Sequence, residues 1–534
     1  MNIKEILSSL SDEELIGQLL CYDVYGSSDP KEVEAFFKHV HPGSFFFKDM
    51  TAEEVQTYKA MAERYSPLPV LVAADVESGP GDAFKGEERL TQEMAWGAAN
   101  DPELLFEAGE AIGEKCREFG MNYNFSPIVD LSLNFEAPCV NIRAISDDAS
   151  SVSRLAKSYI VGLQKNGNVA ATAKHFPGEG VDSRNPHFVT TINSLSQEEW
   201  LKSYGKIYQE LIDNGVYSIM VGHTALPSFE EDNDAFYGPK PACQSYSLIT
   251  KLLKERLGFK GVVVSDSMAM IGVSASVSTI EDIAINFINA GGDLVLFPEK
   301  NDFDTLLRAL KEGRIKRERV LDAVSRVLAM KEKLHLFDKD FKVQKETKRS
   351  ISEIGEEIAS KAIRIERNLD NILPLDLPKG SKILMLDMFE PYFHKEPMGK
   401  ELLAFKGILE SYGYEVSEYF NLGYEEVEKK MKEYDAVILC SKISSDDYHG
   451  ATLRVGWYNV MTFWRGYVLK HPKFIFVSFG DPYKLYDFPY LRTYVNAFSN
   501  TYPSQVAVAK LLLGKIPERG KNPISFEPFF KREI

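Results

Sequence analysis

Through about residue 300, short apolar, β-branched or aromatic runs alternate with longer amphipathic stretches, the pattern of repeated β/α units. Eight such runs predict strands, at 17–24, 43–47, 69–74, 122–129, 169–176, 218–223, 261–265 and 293–297. Helices are predicted between them, for example at 102–119, 151–166, 196–214 and 248–257, several closing at or just before a Gly or Asn that signals a C-cap. Eight parallel strands with intervening helices imply an α/β fold with an N-terminal (β/α)8 TIM-like barrel. From 339 to 350 the chain turns polar and Lys-rich, and a helix is predicted at 351–368. Strand candidates at 382–387, 435–440 and 474–479 then alternate with helices, as in a smaller open α/β sheet. The expected organisation is a barrel over 1–336, a connector and linking helix over 337–368, and a smaller α/β sandwich domain over 369–534.

In such a barrel the active-site groups sit at the C-terminal ends of the strands. Reading those ends gives Asp75 and Glu77, then Asp130, then Lys174 and His175, then His223, then Asp266. Any one of these could be a cap or turn residue. Five strand ends out of eight converging on one rim is different, because a rim of unpaired charge without a ligand is a desolvation cost.

Composition narrows the class. At 534 residues and 44% hydrophobic content, the chain is longer than a single core needs. Its net charge of -16, with no long Lys/Arg run, argues against nucleic acid and anionic membranes as partners. Five cysteines without a C-x-x-C pair argue against a disulfide framework or a zinc knuckle, so no metal or cofactor is expected. The first helix, MNIKEILSSLSDEEL, carries acids where a signal peptide would be apolar, and no run of 18 apolar residues follows, so a cytoplasmic protein is expected. Oligomeric state is not legible.

Two segments carry chemistry. One is AATAKHFPGEGVDSRNPHF, residues 170–188, a strand ending near Lys174 and His175 followed by a Pro/Gly-rich loop bearing Glu179, Asp182, Arg184 and His187. The other is GVVVSDSMAM, residues 261–270, an apolar run that delivers Asp266 at its end on a rigid mount. Together they resemble the paired signatures of family 3 glycoside hydrolases, in the β-N-acetylglucosaminidase branch, whose pattern reads Lys-His-Phe-Pro-Gly-His-Gly, four residues, Asp-Ser-His. The first five letters match, and His187 stands thirteen residues after Lys174, the interval at which the family places its catalytic His. Further similar stretches are NFSPIVD (124–130), NIR (141–143), LGFKGVVVSD (257–266) and, in the second domain, VSFGDP (477–482).

The resemblance implies a retaining mechanism on a small carbohydrate substrate, with removal of terminal β-linked N-acetylglucosamine. Asp266 would be the nucleophile and His187 the acid/base. Asp75, Asp130, Arg143, Lys174, His175 and His223 would recognise the sugar or orient the cluster. Residues 442–456 of the second domain are a candidate for reaching the rim.

The departures are specific. Asn185 stands where the pattern has the Asp of Asp-Ser-His, so the partner of His187 has lost its charge, leaving Asp182 or Glu179 as possible substitutes. Glu179 stands where the pattern has its second His. After the third strand, Asp75-Val76-Glu77-Ser78-Gly79-Pro80 lacks the Arg that the family carries near the sugar. Two alternatives to hydrolysis stay open: phosphorolysis, since a neutral imidazole repels phosphate less than a carboxylate would, and a sugar-binding protein on an inactive barrel.

Overall fold

The computed structural model describes residues 2–231, 239–388, 403–420, 424–444 and 471–526. It divides into two compact units, and both are discontinuous in sequence. One comprises Met1–Glu88, Pro102–Leu131 and Val152–Ile351, the other Arg89–Asp101, Ser132–Ser151 and Ser352–Ile534.

The first unit holds eight parallel strands: β1 (Leu20–Tyr25), β2 (Ser44–Lys48), β3 (Leu71–Ala74), β4 (Tyr123–Asn124), β5 (Thr172–Phe176), β6 (Ser218–Val221), β7 (Val262–Ser265) and β8 (Val295–Leu296). They form two ladders, β4-β3-β2-β1-β8 and β5-β6-β7. Single parallel bridges, Tyr123 with Ala170 and Val264 with Leu294, join the ladders at both ends and close the barrel. All eight predicted runs are strands, although β4 is cut short: Pro127 has no N–H to continue a ladder. The barrel centre is filled by side chains. The Tyr123 hydroxyl bonds Ser218 Oγ across it at 2.6 Å, and Phe125 packs edge-on against the Tyr123 ring.

Two helical expectations change. The first helix is two, Ile3–Ser9 and Asp12–Gly17, because Ser11 forms a capping box with Glu14 and starts the second. The 196–214 stretch breaks at Ser203, whose backbone is non-helical, into Gln197–Lys202 and Tyr204–Asp213.

The second unit is a six-stranded sheet: β9 (Arg364–Asn368), β10 (Lys382–Met388), β11 (Glu415–Phe420), β12 (Ala436–Ser441), β13 (Phe474–Ser478) and β14 (Thr493–Asn496). Their order is β11-β10-β12-β13-β14-β9, with all neighbours parallel except β9 against β14. One apolar cluster lies around Ile383, Ile438 and Val477 and another around Leu384, Leu439 and Phe476, the alternation of a sheet buried on both faces. The helix expected through 368 stops at Ala362, and the next residues are the edge strand β9.

The contiguous division at 336 and 369 is therefore corrected. Residues 337–351 stay with the barrel, where the Glu346 N–H donates to Glu114 and Lys165 pairs with the Glu346 carboxylate. Residues 89–101 and 132–151 belong to the second unit, held by Gln92 Nε2 to Asn500 Oδ1 (3.0 Å), Ser132 Oγ with the Tyr483 hydroxyl (2.9 Å) and Ser146 Oγ to Pro523 O (2.6 Å). Of the 442–456 stretch, residues 445–456 lie outside the described residues.

Candidate active site

The site is built on the C-terminal ends of β3, β5, β6 and β7. Asn124 fixes the segment after β3: its Oδ1 accepts from Val76 N at 3.0 Å, and its Nδ2 donates to Val76 O at 3.1 Å. That clamp sets Asp75 and Glu77, between which the buried Lys174 Nζ lies, 2.9 Å from Asp75 Oδ1 and 2.6 Å from Glu77 Oε1. The Asp75 side chain is 46% exposed and free to meet a ligand, whereas Lys174 is not. Tyr25, exposed at the end of β1, has its hydroxyl pushed up to about 12 by burial and by the charges of Asp23 and Asp75. Neither Tyr25 nor Asn124 is a charged strand-end residue, the signal that marks the other members of the site. The alternation along β1 does place Tyr25 on the same side as Asp23, and that was the available signal.

Asp130 is fully buried and its carboxylate is occupied. Oδ1 accepts from Glu179 N at 2.7 Å, and Oδ2 lies 2.8 Å from His175 Nδ1 and 3.2 Å from His175 N. It is thus a positioning group for His175 and the start of the loop, not a sugar contact. One ligand atom each from Asp130, His175 and Glu179 lies within 4.8 Å of the others, a spacing that a metal could bridge. Asp130, however, already spends both oxygens on N–H donors, so the set reads as a hydrogen-bonded cluster.

Asp266 follows β7 directly. Its N–H donates to Val221 O at 2.9 Å, and its Oδ1 accepts from Ser267 N at 2.7 Å. Burial alone would raise its pKa. The charge of His175, with the Ser267 N–H and Lys174, outweighs burial and holds the carboxyl below its usual range, so it is ionised at neutral pH. His223 is fully buried with both ring nitrogens engaged, Nε2 at 2.8 Å from Ser267 O and Nδ1 at 3.1 Å from Cys243 Sγ. Burial pushes this imidazole down and keeps it neutral. Its expected role as a sugar contact is therefore replaced: it pins the carbonyl just after Asp266.

The histidine loop docks on the segment that follows Asp266. Ile271 N donates to His187 O at 3.1 Å and Thr190 Oγ1 to Gly272 O at 2.7 Å. A side chain at Gly272 would place its Cβ 2.2 Å from Pro186 O, so only glycine allows this approach. Asn185 Oδ1 accepts from His187 N at 2.9 Å and lies 2.8 Å from His187 Nδ1. Because the same atom faces a backbone donor, it must be the amide oxygen, and Nδ1 must carry the proton. Asn185 thus selects the tautomer that leaves Nε2 as the exchanging nitrogen. Asp182 is no substitute for it: its carboxylate is bound to Arg184 and to Ile192 N (2.8 Å). The Glu179 carboxylate likewise sits by Thr224 and Asp130. Arg143 belongs to the second unit, where Nη1 donates to Cys139 O at 2.8 Å.

Residues 12–330 match the model of the glycosyl hydrolase family 3 N-terminal domain. The chain belongs to this family. Within it, the chain is 29% identical over 548 residues to a β-N-acetylglucosaminidase/β-glucosidase of Cellulomonas fimi, covering 98% of this chain and 95% of that one. Among solved structures, a β-glucoside phosphorylase bound to 2FGlc is similar with a TM-score of 0.87 at 28% identity, covering 98% and 96% of the two chains. A family 3 β-N-acetylglucosaminidase from Paenibacillus sp. is similar with a TM-score of 0.83 at 26% identity, covering 97% and 99%. As a member of the family the chain is a glycosidase acting on carbohydrate. Among the described residues no helix is long and apolar enough to cross a membrane.

Proposed function

We propose that the protein is a retaining exo-glycosidase that removes terminal β-linked N-acetylglucosamine. The observation that carries this reading is the ionised Asp266 at the end of β7, with the His187 loop docked on the residues just after it. The Asp266 carboxylate attacks the anomeric carbon, while imidazolium His187 passes its Nε2 proton to the departing glycosidic oxygen. The aglycone leaves as an alcohol and the sugar remains as an ester on Asp266. Neutral His187, its Nδ1–H on Asn185, then takes a proton from water, which attacks the same carbon. The sugar departs with its configuration kept and Asp266 is again a carboxylate. Asp75 contributes sugar contacts from its exposed carboxylate, and His175 and Lys174 keep the nucleophile ionised. The N-acetyl preference follows the Cellulomonas and Paenibacillus relatives. Five buried free thiols fit a reducing, cytoplasmic setting, in which the substrate would be a fragment of cell wall.

A second reading replaces water by phosphate. It is favoured by the uncharged Asn185 behind His187, which adds no negative charge against an anionic acceptor, and by the full-length likeness to a β-glucoside phosphorylase. Nitrophenol release from the β-N-acetylglucosaminide and the β-glucoside, each with and without phosphate, separates the two. Hydrolysis gives free N-acetylglucosamine at a rate indifferent to phosphate; acceleration with formation of a sugar 1-phosphate assigns phosphorolysis. No turnover by folded protein that binds the sugar would overturn both.

The role of His187 makes its own prediction. His187→Ala should lower kcat/KM by about 10²-fold or more for alkyl glycosides, whose leaving oxygen needs a proton, and far less for dinitrophenyl glycosides. Equal losses on both series would remove His187 from the acid role.

A further inference from the structure

Glu179 stands where the family pattern carries its second histidine, and the structure gives that change a place in the site. The residue is buried. Its N–H donates to Asp130 Oδ1 at 2.7 Å, and the Tyr204 hydroxyl donates to its carbonyl. Its Oε1 lies 3.5 Å from Thr224 Oγ1, just after His223. Beside it, Gly222 leaves the space open: a Cβ there would lie 3.1 Å from His175 Cβ and 3.5 Å from Glu179 Oε1. The loop after β5 and the end of β6 thus deliver a second carboxylate to the His175 ring that Asp130 already holds by Nδ1 at 2.8 Å.

We propose that Glu179 is a positioning residue of this glycosidase site, which together with Asp130 holds the His175 imidazole in its charged form beside the nucleophile Asp266. The inference rests on the role proposed above for Asp266. The groups acting on His175 agree with it. Burial would push the ring down, yet Asp130 and Glu179, the hydrogen bond to Asp130 and the charge of Asp266 together carry its pKa above the usual value. Asp266 in turn is held ionised, against burial, by His175 first and then by the Ser267 N–H and Lys174. A charged His175 is therefore the link through which a carboxylate that need not touch the sugar sets the ionisation of the nucleophile. A histidine at 179 could not do this, since it would bring no negative charge.

The test is the ring titration of His175 by NMR in the full chain labelled at its histidines, with His175→Gln identifying the signal. Glu179→Gln is expected to lower the His175 midpoint by about one pH unit or more, with the signal of exposed His39 unmoved as the internal control. Glu179→His, which carries the residue of the family pattern, should shift the midpoint in the same direction and serves if the Gln variant does not fold. A His175 midpoint unchanged in either folded variant overturns the proposal. Because the titration is read without substrate, a chain inactive on every glycoside would sink the functional reading while leaving this result to stand or fall separately.

Discussion

Replacing Asp266 by alanine is expected to lower turnover of an aryl β-N-acetylglucosaminide by about 10⁴-fold or more, the scale seen when a covalent nucleophile is removed. Asp266 is only partly buried at the rim, its backbone N–H bond to Val221 O does not need the side chain, and only the Ser267 N–H loses its acceptor, so the thermal midpoint should change little. The cavity left by Asp266→Ala faces the anomeric carbon, so added azide should restore part of the rate on a dinitrophenyl substrate and yield the glycosyl azide of inverted configuration. Substantial residual hydrolysis without azide, with retained configuration, would remove Asp266 from the nucleophile's role. The variant also reports on its neighbours. With its charge gone, His175 should titrate lower, since Asp266 is one of the charges that raise it.

The second large effect concerns stability. Lys331 is fully buried on the helix Arg317–Lys333, with its ammonium 2.7 Å from Gln18 Oε1. Among the described residues no carboxylate offsets the cost of burial, which pushes its pKa down from an ordinary 10.5 to about 7. Between pH 7 and 10.5 the unfolded chain holds a proton here that the folded chain has released, so folding stability rises with pH across that window. Below pH 7 the penalty is present in full. Lys331→Met keeps the volume, removes the charge and leaves only the Gln18 amide without its partner. At pH 6 it should stabilise the barrel by roughly 2–4 kcal/mol, less than the ~5 kcal/mol that the shift alone converts to, because the hydrogen bond is lost. The thermal midpoint of the variant should exceed the wild type's by several degrees at pH 6 and by much less at pH 10. Equal midpoints at both pH values would mean that Lys331 is not carrying an unrelieved charge cost.

The barrel was legible because each of its strands is a continuous apolar run bounded by turn residues, and strand ends could be read for chemistry without knowing the packing. Asp266 is the clearest case: β7 is Val-Val-Val-Ser, and the residue after it has one place to be. The roles within the cluster were less legible. Asp130 and His223 looked like ligand contacts because they are polar strand-end residues. What decides otherwise is that Asp130 is consumed by His175 and Glu179, and His223 by Ser267 and Cys243, and such partners depend on loop paths that periodicity does not encode. The interleaved units were hidden for a similar reason. Residues 89–101 and 132–151 look like ordinary connections between β/α units, and their partners, Asn500, Tyr483 and Pro523, lie some 350 to 400 positions further on. In the sequence β9 reads on from the preceding helix because Arg-Ile-Glu-Arg-Asn carries no breaker; the antiparallel edge of β14 decides its conformation.

The most direct measurement is the intact mass of the protein after incubation with a 5-fluoro β-N-acetylglucosaminyl fluoride, which slows release of the sugar from the enzyme, followed by peptide mapping. The mechanism predicts one added glycosyl unit on the peptide that contains residues 261–270, attached at Asp266 and absent from Asp266→Ala. Turnover of the probe with no adduct, or an adduct on any other residue, would contradict it.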